Sequence, residues 1–144
     1  MPPWVASGFR EYAERLPREL HLELHEVPGG ERGRGAQPDR PRAVEGERLL
    51  RAVPRGARVI ALDGGGRALT TRGLADALGA WFQDGRDTAL LVGGAEGLDP
   101  ACLEAAESRW SLSGLTLPHM LVRVVVAEQL YRAWAIRAGH PYHR

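Results

Sequence analysis

A strand, a glycine turn and a helix follow one another twice in the middle of this 144-residue sequence. Arg58–Asp63 and Thr88–Val92 are short apolar runs of the kind found in strands buried within a parallel sheet. Glycines follow both runs, as Gly64–Gly66 and Gly93–Gly94, and a sequence with helical periodicity comes after each of them. Because parallel strands need crossover helices, the repeat predicts an α/β fold with a small, mainly parallel sheet flanked by helices.

Capping residues, prolines and apolar periodicity predict where the helices lie. Thr70 or Thr71 is the expected N-cap of one helix, and Asp99 is that of the next, with Pro100 in its first turn. The predicted helices cover about residues 4–16, 43–52, 71–83, 100–109 and 120–138.

Other segments carry signals of different kinds. Leu20–Val27 alternates strictly between apolar and polar residues, which predicts a strand with one exposed face. Gly64–Gly66 predicts a plain turn, because its glycine spacing does not fit a dinucleotide-binding fingerprint. Gly29–Pro41 is rich in glycine, proline and arginine, and predicts a mobile loop that is either a solvated charged segment or a phosphate contact.

The last helix, predicted over Met120–Ala138, is unusually apolar for a chain of this size. Thr116 is its expected N-cap, and Gly139 lies just past its last periodic residue. Its apolar residues cover more than one face, which is more than a single core contact needs. The helix is therefore either central to the fold or shared with another subunit. Glu128 and Arg132 are spaced as an i,i+4 ion pair.

Candidate functional residues lie in the turn after the second strand and at the end of the chain. Glycines such as those of Gly93–Gly97 let a ligand approach the backbone, at the edge where open α/β sheets bind ligands. Glu96 would reach the same crevice or make a turn hydrogen bond. His140–Arg144 combines proton-transfer and anion-binding groups. A solvated polar end, typical of chain termini, is the alternative for that segment.

Composition limits the class of protein. With 144 residues and 44% apolar content, the chain fits a single domain over residues 1–144. The net charge of +1 excludes a polycation that coats nucleic acid. The sequence carries neither a signal peptide nor a membrane-length apolar run, so we expect a cytoplasmic protein without membrane contact.

Cysteine and histidine usage argues against a metal centre. Cys102 is the only cysteine, which excludes both a disulfide framework and a cysteine zinc site within one chain. A site built from His119, His140 and His143 lacks an evident carboxylate or cysteine partner. We therefore expect no metal.

Four segments form a specific set when taken together: Leu91-Val-Gly-Gly-Ala-Glu-Gly-Leu98, Trp110-Ser-Leu-Ser-Gly-Leu-Thr-Leu-Pro-His119, Glu128-Gln-Leu-Tyr-Arg-Ala133 and His140-Pro-Tyr-His-Arg144. In this order and spacing they resemble the large-subunit ribosomal RNA methyltransferase H family, and the likeness runs through almost the whole chain. Members of that family are SPOUT-class enzymes that methylate N3 of a pseudouridine in 23S rRNA, with S-adenosylmethionine as methyl donor.

The resemblance implies a fold and a site that the residue patterns alone do not give. It implies a C-terminal trefoil knot that holds the cofactor, and a homodimer packed through the knot helices. By position, the cofactor-binding residues are Leu62, Gly93, Leu112, Ser113, Gly114, Leu115, Thr116 and Leu117. Tyr142 and His143 are candidates for handling the N3 proton and orienting the base, and Arg144 for contacting phosphate. The implied partner is 23S rRNA, and the low net charge favours the assembled ribosome over naked RNA.

The sequence departs from the family pattern at its beginning, where the family has a further strand before the Met-Pro-x-Trp stretch. Here that stretch, Met1-Pro-Pro-Trp4, begins the chain. We expect that an internal methionine was taken as the start, rather than that the strand is truly lost. A true loss would remove ladder partners from neighbouring strands.

The tail raises the question of how the active site is assembled. Gly139 and Pro141 predict that the last residues form an extended arm. In a dimer this arm would be directed towards the partner's glycine turn and would complete the site in trans. The alternative function is a truncated, non-catalytic SPOUT-like dimer that binds RNA.

Overall fold

The structure is a computed structural model that describes residues 1–28, 39–94 and 96–143. Its elements are α1 (Pro3–Ala13), α2 (Asp39–Ala52), β1 (Arg58–Ala68), α3 (Thr71–Asp84), β2 (Thr88–Val92), α4 (Pro100–Ala105), β3 (Ser108–Ser111) and α5 (His119–Ala138). The chain divides into two compact units. The helical unit comprises Met1–Leu24, Leu69–Gly85 and Leu117–Arg144. The sheet unit comprises His25–Ala68 and Arg86–Thr116.

Within the described residues, the sheet unit contains three parallel strands in the order β2-β1-β3. On the central strand, Ile60 is in register with Leu90 of β2 and with Ser108 of β3. Ile60 and Ala61 are buried, as the apolar run of β1 predicts. The predicted α/β class, with a small parallel sheet flanked by helices, is confirmed.

The core of the sheet unit forms where α2 and α4 pack on the strands. Ala61 and Leu91 of the strands pack with Leu98 and with Cys102 of α4. Partly buried apolar residues surround this cluster: Leu49, Leu50, Val53, Val59, Leu103 and Ala106. The cluster holds α2 and α4 against β1 and β2.

The prediction of a plain turn at Gly64–Gly66 is wrong, because β1 continues through these residues. The register of β1 with β3 shifts between Leu62 and Arg67. A Cβ atom on Gly66 would lie 2.6 Å from the carbonyl carbon and oxygen of Arg109. Glycine therefore serves here for close approach of two backbones, not for a change of direction.

The prediction of a long helix after Pro100 is also wrong, because α4 ends at Ala105 rather than near Arg109. Ala106 has extended backbone angles (φ −74°, ψ 135°), and the chain then enters β3. The Glu107 N–H donates to the Val59 carbonyl at 2.8 Å. Pairing with β1 thus replaces the expected last turns of the helix.

Leu20–Val27 is not a strand in the structure, contrary to its alternating pattern. Leu22 and Leu24 are half-buried and the residues between and beside them are exposed, so the alternation of faces is retained. Among the described residues no strand pairs with this segment, and alternation alone supplies no ladder hydrogen bonds. Of the predicted loop Gly29–Pro41, residues 29–38 lie outside the described residues, and the rest belongs to α2.

The helical unit contains α1, α3 and α5. Glycines bring these helices close, since a Cβ atom on Gly8 of α1 would lie 3.1 Å from the Val124 side chain of α5. The Arg137 guanidinium of α5 packs directly over Gly79 of α3. Within the described parts of the chain, we find no helix with the length and apolar character needed to cross a bilayer.

The capping residues predicted for α3 and α5 are found in the structure with one exception. Thr70 caps α3, since its hydroxyl accepts an N–H of the first turn at 2.9 Å. Thr116 is not the N-cap of α5, which begins at His119 with Pro118 in the capping position. Proline has a φ suited to a helix start and no N–H to leave unpaired there. Gly139 ends α5 in the left-handed conformation (φ 70°), as predicted.

Candidate functional site

The predicted site residues fall into two groups, one in each unit. The group in the sheet unit is Leu62, Gly93 and residues 112–116. The group in the helical unit is Leu117, Tyr142 and His143. Arg144, the third predicted tail residue, lies outside the described residues.

Leu62 lies on β1 at the level where β2 ends. It is in register with Val92, the last residue of β2, and with Trp110 near the end of β3. Gly93 follows β2 directly and Leu112 follows β3 directly. Because the carboxyl ends of parallel strands share one edge of a sheet, Leu62, Gly93 and the start of the 112–116 loop are brought together there.

Gly93 opens a tight loop that closes on itself. The Gly97 N–H donates to the Gly94 carbonyl at 3.0 Å, and Gly97 has a φ of 78°. A Cβ atom on Gly93 would lie 2.7 Å from both the Gly97 carbonyl oxygen and the Leu98 nitrogen. Glycine at position 93 is therefore required by the loop itself, in addition to any close approach by a ligand.

Residues 112–116 form a loop whose turn is held by serine hydroxyls. The Ser111 hydroxyl donates to the Ser113 carbonyl at 3.1 Å, and the Ser113 hydroxyl accepts the Leu115 N–H at 2.9 Å. Leu115 is 76% exposed, and Gly114 and Thr116 are exposed beside it. The loop thus presents one large apolar side chain on a hydrogen-bonded turn.

Glu45 is a residue of this edge that the sequence analysis missed. It lies on α2, and one of its carboxylate oxygens accepts the Gly94 N–H at 3.0 Å. The two residues are 49 positions apart, so no local pattern reports their contact. The available signal was Gly46 inside a helical segment, since such a glycine often marks close packing.

The tail folds back on α5 and is not an extended arm. The Tyr142 ring packs edge-on against Tyr131, with centroids 4.6 Å apart, and the Arg132 guanidinium lies 4.7 Å from the Tyr142 centroid. His140 Nδ1 accepts the Tyr142 N–H at 3.2 Å. The prediction of an extended arm is wrong for residues 140–143, because aromatic and cation–π contacts stabilise the folded turn.

Glu128 is the centre of a hydrogen-bond network that holds the tail. Its Oε1 accepts from Arg132 Nε at 2.8 Å and from the Tyr142 hydroxyl at 3.3 Å. Its Oε2 accepts from the Gln129 amide at 2.8 Å. The Gln129 oxygen in turn accepts from the Thr71 hydroxyl at the start of α3, at 2.7 Å. The predicted i,i+4 ion pair of Glu128 and Arg132 is confirmed. The hydrogen bond between Glu128 and Tyr142 was not predicted.

The network fixes the hydrogen-bonding roles of Tyr142 and His143. Burial, together with the negative charge of Glu128, raises the pKa of the Tyr142 hydroxyl above its usual 10.0, so this group stays protonated and donates. Arg132 Nη1 lies 3.2 Å from His143 Nδ1. Because a guanidinium only donates, Nδ1 is the acceptor and the ring carries its hydrogen on Nε2.

Metal binding has no support in the described residues, where no group of three or more His, Cys, Asp and Glu side chains converges on a common point. His140 Nδ1 bonds to the Tyr142 N–H, and His143 Nδ1 bonds to Arg132. Both imidazoles are thus used to shape the tail.

A family model described as "Predicted SPOUT methyltransferase" matches residues 1–143. The match includes the loops at the sheet edge and the tail as far as His143.

Proposed function

Since the chain belongs to the SPOUT methyltransferase family, and is thereby an S-adenosylmethionine-dependent methyltransferase, we propose that it methylates N3 of a pseudouridine in 23S rRNA. The choice of substrate rests on the resemblance of four segments to the methyltransferase H family. In this reaction N3 attacks the sulfonium methyl group, and the carbon–sulfur bond breaks with its electrons remaining on sulfur. The products are the N3-methylated base and S-adenosylhomocysteine, and the N3 proton passes to water.

The observation that carries this proposal is the register that brings Leu62 of β1 level with the ends of β2 and β3, which Gly93 and Leu112 follow. Parallel sheets bind ligands at this edge, and both glycine-containing loops leave the sheet there. S-adenosylmethionine lies at this edge in the proposal, with Gly93 and Leu112–Leu117 around its adenosyl group. Leu115, which is 76% exposed, supplies apolar surface for the adenine ring. The trefoil knot formed by the C-terminal segment is part of the same proposal.

The tail residues orient the base in this proposal. Alignment of nucleophile, methyl and sulfur is the main demand of the reaction, so positioning supplies much of the rate. With its hydrogen bonded to Glu128, the Tyr142 hydroxyl offers an acceptor, while His143 offers the Nε2 hydrogen as a donor. An acceptor and a donor together match the N1–H and the adjacent C2 carbonyl of pseudouridine, which leaves N3 open to the methyl group. We therefore assign Tyr142 and His143 orienting roles rather than the role of proton acceptor.

A homodimer formed through α5 belongs to the same proposal. The mostly apolar residues Met120–Val126 are all half-exposed in the single chain. A second copy of the chain would remove from water those of these residues that α1 and α3 leave uncovered, and self-complementary packing is typical of two-fold dimers.

The proposed substrate is the assembled ribosome. With a net charge of +1, the chain neutralises few phosphates, so electrostatic attraction to naked RNA is weak. Complementarity to a folded ribosomal surface supplies the remaining selectivity.

The decisive experiment maps the methylated nucleotide by mass spectrometry. The 23S rRNA of a deletion strain should lack one N3-methylpseudouridine, and the purified protein should restore it on assembled ribosomes with S-adenosylmethionine. Free 23S rRNA serves as the control and should be methylated much more slowly. An unchanged methylation pattern in the deletion strain would contradict the proposed substrate.

Cofactor binding at the sheet edge has its own test at Leu115. Because this side chain is exposed in the free chain, Leu115→Ala should leave the melting temperature unchanged. Its affinity for S-adenosylmethionine should fall about tenfold, since the side chain loses apolar contact in the complex. Leu115→Met, which retains apolar surface, is the matched control and should bind nearly as wild type. Equal affinities by calorimetry for all three proteins would place the cofactor elsewhere.

A further inference from the structure

The loop between β2 and α4 is contacted at both ends by consecutive residues of α2. At its beginning, Glu45 Oε1 accepts the Gly94 N–H at 3.0 Å. A Cβ atom on Gly94 would lie 2.9 Å and 3.1 Å from the two carboxylate oxygens of Glu45, so the carboxylate lies directly against the Gly94 backbone. This contact is partly buried, which limits competition by water.

The end of the same loop is contacted through Gly46. A Cβ atom on Gly46 would lie 2.7 Å from the Asp99 Cβ, so only glycine allows this approach of α2. The Asp99 carboxylate accepts the Ala101 N–H at 3.0 Å and caps α4. The buried Cys102 thiol contacts the Gly46 carbonyl at 3.5 Å. Helix α2 thus fixes the position of the residue that ends the loop and begins α4.

We propose that Glu45 is a positioning residue that sets the backbone conformation at Gly93 and Gly94 for cofactor binding. This inference rests on the proposed function, in which Gly93 contacts S-adenosylmethionine. A backbone binding surface offers no side chain that could adjust, so its geometry depends on the contacts that hold the backbone in place. The Gly94 amide is held by Glu45, and Gly93 is held by its contact with Gly97 and Leu98.

Substitutions at Glu45 separate the hydrogen bond from the charge. Glu45→Ala removes the acceptor, and Glu45→Asp retains the charge on a side chain one methylene too short to reach. Glu45→Gln retains an acceptor oxygen without the charge. Glu47→Ala is the matched control on the same helix, since Glu47 forms an exposed ion pair with Arg51 and does not contact the loop.

Hydrogen exchange and calorimetry provide the two measurements. We expect faster exchange of the Gly94 amide in Glu45→Ala and Glu45→Asp, and about tenfold weaker binding of S-adenosylmethionine. Glu45→Gln should bind within about threefold of wild type, and Glu47→Ala should match wild type in both measurements. Because Glu45→Asp retains a charged helix residue, it tests the inference even if Glu45→Ala does not fold.

The outcomes distinguish the inference from the function on which it rests. Unchanged Gly94 exchange in Glu45→Asp would refute the positioning contact. Faster exchange of the Gly94 amide in Glu45→Asp with unchanged affinity for S-adenosylmethionine would overturn the role of Glu45 in cofactor binding. Weak cofactor binding by Glu45→Gln would show that the charge of Glu45, and not its hydrogen bond, supports binding. If wild-type protein does not bind S-adenosylmethionine, the proposed function fails, while the exchange data still decide whether Glu45 holds the loop.

Discussion

Replacing Gly66 with alanine should destabilise the protein, because the added methyl group has no space. Its carbon would lie 2.6 Å from the Arg109 carbonyl carbon and oxygen, and 2.8 Å from the Trp110 nitrogen. These are backbone atoms of β3, which cannot rotate away as a side chain would. Overpacking of this kind costs about 1–3 kcal/mol of unfolding free energy.

Gly64→Ala provides a matched control on the same strand. A Cβ atom on Gly64 meets nothing within 4 Å, and neither glycine has a positive φ. Alanine at position 64 should therefore be neutral or stabilise by up to about 1 kcal/mol, because it restricts the unfolded chain. The two variants should differ by about 1–4 kcal/mol, which corresponds to a melting-temperature difference of about 3–13 °C for a chain of this length.

Thermal unfolding followed by circular dichroism measures this difference directly. Urea unfolding should give a lower midpoint for Gly66→Ala with an unchanged slope, since one added methyl group barely changes the surface exposed on unfolding. Equal unfolding midpoints for the two variants would refute the close approach of β1 and β3 at Gly66.

Four further outcomes are expected. Tyr142→Phe should lower kcat with little change in cofactor affinity, and should cost about 1 kcal/mol of stability, because it removes only the hydroxyl of the tail network. The hydrogen bond from Arg86 lowers the pKa of Glu107 from its usual 4.5, so at neutral pH wild type should be more stable than Glu107→Gln. In denaturation series at decreasing pH, this difference in stability should vanish as the pH falls through the lowered pKa. Burial raises the pKa of the Cys102 thiol, so a thiol reagent should modify it only after unfolding. Val125→Glu should split or unfold the proposed dimer, and sedimentation of a folded, active monomer would contradict that interface.

Local and regional patterns were sufficient to predict much of the fold. Strand β2, helix α3 and helix α5 each carry an apolar pattern with clear boundary residues, and each lies where the sequence places it. Strand β3 has no such signal, because Ser108–Ser111 alternates too briefly and is held by pairing with β1 alone. The reverse holds for Leu20–Val27. Its strong alternation predicts a strand, but among the described residues no strand pairs with it.

The candidate site was predictable only in part, for the same physical reason. The place of Gly93 at the sheet edge is predictable, because neighbouring residues show the order of strand, glycine and loop. The contact of Glu45 with Gly94 depends on how α2 packs across the sheet, and nothing local encodes it. Likewise, the spacing of Glu128 and Arg132 predicts their ion pair but not that Tyr142 returns to the same carboxylate.

The hydrogen-bond network around Glu128 has only one arrangement of its hydrogens. Every bond in it is donated towards this carboxylate, directly or through Gln129, and a carboxylate has no hydrogen to return. The Gln129 amide therefore cannot flip, and the Tyr142 hydroxyl cannot rotate without losing a partner. The conformational entropy of ordering the tail is lost when the chain folds and not when a substrate arrives, so in the proposed function residues 140–143 meet the substrate already ordered.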